Sequence, residues 1–232
     1  MILLERNMID INNTLDLLKL KFFNEWLYTA HMIEQELPDY HRELTEKMVE
    51  NYIDPLNLPK DAVILDMGCG SGYFLDSMKA RGYTNLTGIT LSLTDTKICR
   101  EKGHNIKNYD MTFIPQTDGY YDESVDFIFC RHSMEHSPYP ILTLAEFNRL
   151  LKLKGQIYME TPFPDTENKH EYSPNKYSVF GIKQWDALLY RAGFAPTVCN
   201  TLEFDIDQPD DTKIREKYMI MMAYKRCPLD IK

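Results

Sequence analysis

The sequence has no uncharged apolar run of the ~18 residues that a membrane-spanning helix needs, so a bilayer-crossing segment is not expected. It has no C-x-x-C pair. Its five cysteines, Cys69, Cys99, Cys130, Cys199 and Cys227, are odd in number and far apart. Such spacing excludes a disulfide framework or a zinc knuckle and fits small core residues in a reducing compartment. An excess of basic charge is also missing: 26 Lys and Arg stand against 35 Asp and Glu, for a net charge of −9. An acidic surface repels phosphate backbones, so a nucleic-acid partner is not expected. Internal repeats, low-complexity tracts and Gly/Ser linkers are absent. Met1-Ile2-Leu3-Leu4-Glu5-Arg6 places apolar residues before charge and lacks a small-residue cleavage site, which does not read as a secretory signal. The default expectation is a cytoplasmic protein, with nothing to fix its oligomeric state.

What remains is an ordinary globular composition, 44% hydrophobic and 26% charged over 232 residues. That length suits one α/β core with a modest appendage. Two parts are expected: a helical segment over residues 1–57 that lids the site and shapes a substrate pocket, and a core over 58–232. Leu15, Leu18, Phe22 and Trp26 recur at helical spacing, and the same stretch carries Phe23, Tyr28 and His31. An aromatic stripe of this kind is core packing, pocket lining, or both. Pro38-Asp39 opens a second helix that stops before Pro55.

From Ala62 the period changes. Ala62-Val63-Ile64-Leu65 is a short apolar run of the kind buried on both faces of a parallel sheet. Strands are expected at 85–90, 106–109, 125–130 and 156–160, with helices at 73–81, 94–102, 141–151 and 183–192 between and after them. Lys154-Gly155 reads as the turn from helix to strand. Two terminal strands, 197–204 and 218–224, can pair antiparallel. This alternation predicts a doubly wound, mostly parallel seven-stranded sheet with helices on both faces. Ligands of such sheets sit beyond the C-terminal strand ends, at the switch point.

One loop occupies that position: Asp66-Met67-Gly68-Cys69-Gly70-Ser71-Gly72-Tyr73 follows a strand and opens a helix. Glycines let the backbone turn tightly and approach a ligand. The dinucleotide fingerprint is G-x-G-x-x-G, and here the third glycine comes one residue early. By itself the loop fits a nucleotide site of several kinds.

The spacing D-x-G-C-G-x-G after an apolar strand resembles motif I of the class I S-adenosylmethionine-dependent methyltransferases. Further along, Asp126 to Cys130, Glu135-His136, Glu146-x-x-Arg149-Leu150-Leu151-Lys152 and Thr161-Pro162 are similar to the ubiquinone-biosynthesis-type branch of that family. The resemblance implies a Rossmann-like fold, S-adenosyl-L-methionine as cofactor and methyl transfer to a small-molecule oxygen, nitrogen or carbon. It implies a cofactor set of Asp66, Gly68, Cys69, Gly70, Tyr73, Thr90, Leu91, Asp110, Met111 and Arg131. In many relatives the second strand ends in an acid that binds the ribose; here Thr90 stands there, and hydroxyls of Thr90 and Ser92 are candidate substitutes.

The catalytic candidates follow the fourth strand: His132, Glu135 and His136, with His170 from the loop after the fifth. His132, Glu135 and His136 share one face if they lie on one helical turn. In some relatives an E-x-x-E-H segment at this place holds a divalent ion, so a metal is a second expectation, and with it O-methylation of a catechol or an RNA ribose. The alternative reading is that Glu135-His136 only orients the next helix. A non-catalytic S-adenosylmethionine-binding protein is the reading from another class.

Overall fold

Val63–Met67 (β1) is buried at every residue but its first, as expected of a strand covered by helices on both faces. A computed structural model of the chain describes Lys21 and residues 39–116, 119–207 and 212–228. The aromatic helix expected around Phe22, Phe23, Trp26, Tyr28 and His31 lies outside the described residues.

A helix (α1, Asp39–Met48), a π-helical turn (Val49–Ile53) and a 3₁₀ turn (Asp54–Leu56) precede β1. Then come α2 (Tyr73–Ala80), β2 (Asn85–Ile89), α3 (Leu93–Glu101), β3 (Asn105–Lys107) and β4 (Val125–Arg131). The chain continues with α4 (Pro140–Leu150), β5 (Leu151–Pro162), α5 (Ile182–Arg191), β6 (Phe194–Asp207) and β7 (Lys213–Lys225). The sheet runs β3-β2-β1-β4-β5-β7-β6. β1 to β5 are parallel, while β7 runs antiparallel between β5 and β6. Chain order reverses direction between β1 and β4, so a crevice opens at their C-terminal ends.

Period-two alternation divides the core. Leu65, Met67, Ile128, Cys130 and Met159 face Leu144, Phe147 and Leu150 of α4 and Trp185 and Leu189 of α5. Ile64, Phe127, Phe129 and Tyr158 face Phe74, Leu75 and Met78 of α2 and Val49 and Ile53 before β1. On the second face, Phe129 stacks between Phe74 and Tyr158, with ring centroids 3.9 and 4.9 Å away. Burying each such ring contributes about 2–3 kcal/mol by area. Helix ends follow local chemistry: Ser92 Oγ accepts from Asp95 N at 3.0 Å to cap α3, and Pro140 takes the first turn of α4.

The structure corrects the sequence reading in four places. Lys154-Gly155 is not the helix-to-strand turn; α4 ends at Leu150, β5 starts at Leu151, and Lys154 sits within that strand at φ 66°. β3 ends at Lys107, short of Tyr109, while β6 and β7 are longer than their apolar segments because charged pairs such as Arg215–Asp205 and Lys217–Glu203 extend the ladder. Cys199 is exposed rather than a core residue. His132, Glu135 and His136 do not share one helical turn: Met134–His136 is a 3₁₀ turn, and His132 precedes it at φ 51°. Among the described residues, no helix is long and apolar enough to cross a membrane.

Candidate functional site

The glycine loop is set by packing as much as by any ligand. Gly68, Gly70 and Gly72 all have positive φ, at 78°, 48° and 81°, a region that L side chains enter only with strain. A Cβ on Gly68 would collide with Ser133 Cβ and come within 2.7 Å of its Oγ. Ser133 Oγ in turn donates to the Met67 carbonyl, so the end of β4 presses directly on the loop. Gly68 N and Cys69 N both donate to Ile89 O, at 2.8 and 3.1 Å. From α3, Cys99 Sγ reaches Gly70 O at 3.2 Å and Lys102 Nζ donates to Ser71 O at 2.6 Å.

Beyond this loop lies a cavity of about 1250 Å³. Gly68, Gly70, Tyr73, Thr90, Leu91, Asp110, Met111 and Arg131 line it, as do His132, Glu135, His136 and His170. Asp66 and Cys69 are not in its wall. Asp66 is buried behind the loop, and desolvation pushes its carboxyl up to about 8 although Arg131 pulls the other way. The Cys69 side chain turns into the core, where a Cβ on Gly88 would sit 2.7 Å from its Sγ.

The strand-end hydroxyls have structural tasks. Thr90 Oγ1 accepts from Ser92 N at 3.1 Å, and Ser92 Oγ is the α3 cap. One carboxylate that the sequence reading passed over, Asp95 in the first turn of α3, lines the cavity beside them. The signal for it was the S-x-x-D capping pattern. Across the cavity, Asp110 Oδ1 accepts from Thr112 N at 2.8 Å, which holds that loop in place.

At the other end, three buried acids organise the bases. Glu160 accepts from Arg131 Nε at 2.9 Å and Tyr158 Oη at 2.6 Å, and its Oε1 lies 3.0 Å from His132 Nε2. Burial alone would raise the Glu160 carboxyl; the Arg131 and His132 charges outweigh it and hold it at about 2. Glu135 Oε1 is 3.5 Å from His132 Nδ1, and His132 and neighbouring charges likewise keep Glu135 at about 2 against desolvation. Burial would lower His132, but the carboxylates of Glu135 and Glu160 on either side of the ring prevail and raise it. Arg131 Nη1 reaches His41 Nδ1 and Thr45 Oγ1 of α1, both at 3.4 Å. Desolvation first, then the Arg131 charge, press His41 down to about 4.

The third acid, Glu216 on β7, is fully buried and accepts from Asn168 Nδ2 while pairing with His170 Nε2 at 2.8 Å. Lys176 Nζ donates to His170 Nδ1 at 2.7 Å. His136 Nδ1 faces the Asn175 carbonyl at 2.6 Å, Tyr177 N and Ser178 N donate to Glu135 O, and Ser178 Oγ donates to Ser137 O. The loop over residues 168–178 is thereby fastened to both β7 and the 3₁₀ turn. These fastenings separate the four side chains expected to share an ion. Among the described residues, no three His, Cys, Asp or Glu groups converge on a point that could hold a metal, so the donor set does not fit one. The glycine loop, with its side-chain-free wall, does fit a ligand that approaches the backbone.

Comparison with known proteins places these features in context. Residues 35–197 match a family model described as a methyltransferase domain. A tRNA U34 carboxymethyltransferase of Aliarcobacter butzleri is 31% identical over 158 residues, 62% of this chain and 51% of that one. A ubiquinone biosynthesis O-methyltransferase of Saccharophagus degradans is 30% identical over 115 residues, 48% of each chain. The chain thus spans about half the length of the curated relatives it matches. Among solved structures, a SAM-dependent methyltransferase from Archaeoglobus fulgidus superposes with a TM-score of 0.62 at 20% identity, covering 79% of this chain and 94% of that one. A protein from Bacillus halodurans shares the fold with a TM-score of 0.65 at 15% identity, covering 78% and 100%.

Proposed function

The chain belongs to the class I S-adenosylmethionine-dependent methyltransferases, and we propose that it transfers a methyl group to a small polar molecule held beside His132, His136 and His170. The observation that carries this reading is the single cavity joining the glycine loop to those histidines. At about 1250 Å³ it exceeds the ~300–1,000 Å³ usual for one small ligand, which leaves room for a second molecule. Bound along the glycine loop, S-adenosylmethionine supplies an electrophilic methyl carbon on a sulfonium.

The chain's own groups then do the rest. Gly68 and Gly70 admit the cofactor's amino-acid part, and Asp66 behind them gains its charge as the cofactor's ammonium group arrives. Asp95 is the carboxylate for the ribose hydroxyls in place of the missing strand-end acid, and Asp110 with Met111 borders the adenine. Arg131 and His132, clamped by Glu160, form a fixed floor. In-line transfer requires chiefly that the acceptor be aligned and water excluded. The fastened loop over 168–178 supplies both. Polar residues dominate the acceptor end, with Asn168, Ser173 and Asn175 in its wall, which suits a hydrophilic acceptor.

Calorimetry with S-adenosylmethionine and S-adenosylhomocysteine tests the cofactor half. Transfer of label from methyl-tritiated cofactor to small polar acceptors tests the other half. Lack of binding at millimolar ligand would refute the reading.

A further inference from the structure

Four imidazoles line the cavity, and each has a polar partner that constrains its ring. A carbonyl or carboxylate oxygen only accepts, so a ring nitrogen facing one must carry hydrogen. His132 has a carboxylate beside each nitrogen, and both favour its protonated form. His170 puts Nε2–H on Glu216 and uses its Nδ1 lone pair to accept from Lys176. His41 spends its Nδ1 lone pair on Arg131. His136 differs. Its Nδ1 donates to the Asn175 carbonyl at 2.6 Å, so in the neutral ring the lone pair is on Nε2. That nitrogen makes no hydrogen bond among the described residues. One nitrogen of a ring that lines the cavity is thus tied down by an acceptor, the arrangement of a general base.

We infer that His136 Nε2 is the proton acceptor in methyl transfer and that the methyl acceptor is a hydroxyl. This rests on the methyltransferase reading above. A neutral amine needs no base before attack, whereas a hydroxyl gains from losing its proton as the bond forms. In the step, an oxygen lone pair forms the new bond to the methyl carbon and the carbon–sulfur pair returns to sulfur. The hydroxyl proton passes to Nε2, and the imidazolium later releases it to solvent. Glu135, the residue before it, is in electrostatic contact with His136, and His132, Lys176, Tyr177, His170 and Asp110 line the same cavity. The Asp110 loop meets Ser137 through Thr112 and Thr143.

The test uses the full chain with ¹⁵N-labelled histidine, bound to S-adenosylhomocysteine. Long-range ¹H–¹⁵N correlation is expected to show His136 as the Nδ1–H tautomer; an Nε2–H tautomer overturns the inference. His136→Asn keeps an N–H donor near the Nδ1 position and removes Nε2. This variant is expected to bind S-adenosylhomocysteine within twofold of the parent. With catechol as hydroxyl probe, its kcat falls by about 10²–10⁴-fold and the acid limb of the pH–rate profile disappears. Unchanged kcat, an unchanged acid limb, or transfer to benzylamine but not catechol overturns the inference. So does a chain that binds the cofactor and methylates neither probe. Failure to bind the cofactor is a different result, and it removes the methyltransferase reading itself.

Discussion

His132 Nε2 lies 3.0 Å from Glu160 Oε1, across the ends of two adjacent parallel strands. Glu160 has no exposed surface, and Arg131 and Tyr158 take its remaining lone pairs. A buried anion paired with a guanidinium and an imidazole is costly to disturb on one side only, because Arg131 is left charged without compensation.

Glu160→Gln is therefore expected to destabilise the fold by about 3–5 kcal/mol, the loss typical of a broken buried pair. Urea denaturation monitored by far-UV circular dichroism measures it. A change below about 1 kcal/mol would show that the clamp does not hold the strand ends together.

Gly68→Ala places a methyl against Ser133 at a backbone φ of 78°. The collision and the left-handed strain act together, so a loss of more than about 2 kcal/mol is expected. Cofactor binding should be abolished, as read by calorimetry on the folded fraction. An alanine variant with parental affinity would mean that the loop tolerates a side chain.

Asp95→Ala should weaken S-adenosylhomocysteine by roughly tenfold to hundredfold, the ~1.5–3 kcal/mol of hydrogen bonds to a charged group. Thermal stability should change little, since Ser92 still caps α3. Equal affinity of variant and parent would remove Asp95 from the ribose site.

Asp66, raised to about 8, is mostly protonated at neutral pH before ligand arrives. If its carboxylate is the form that favours the cofactor's ammonium group, affinity rises with pH and levels off above about 8. Binding at pH 7 then releases protons, which calorimetry in buffers of different ionisation enthalpy detects. Asp66→Asn should flatten the profile, and a profile identical to the parent's counts against Asp66.

His41 is lowered from 6.5 to about 4, so between those values the unfolded chain holds a proton that the folded chain does not. Stability from this group is complete above pH 6.5 and falls as pH drops towards 4. His41→Asn should lose less stability over that window than the parent, in melting temperatures taken at half-unit steps. A parallel decline in both would assign the acid sensitivity elsewhere.

Much of the fold was legible in the sequence because its signals are local. Val63-Ile64-Leu65 announces a strand covered on both faces, and Gly193 marks the end of α5. The early third glycine at Gly72 rules out the dinucleotide loop without reference to anything distant. Boundaries failed where tertiary pairing overrode local pattern: Lys154-Gly155 has turn chemistry, yet β4 captures the residues around it into β5. In the site, the wall residues Gly68, Gly70, Thr90 and Asp110 were implied by the family resemblance. The inward turn of Cys69 could not, since it depends on room opposite Gly88.

The sequence by itself determined the strand–helix alternation and the glycine turn between the first strand and its helix. These depend on the 2.0 and 3.6 periods and on glycine, properties of neighbours along the chain. The tertiary structure alone decided which partner each basic side chain of the site meets. Arg131 meets Glu160 across 29 positions, His170 meets Glu216 across 46, and His136 meets the Asn175 carbonyl across 39. Sheet register and loop closure create those encounters, and an imidazole's proton goes wherever its partner's oxygen lies.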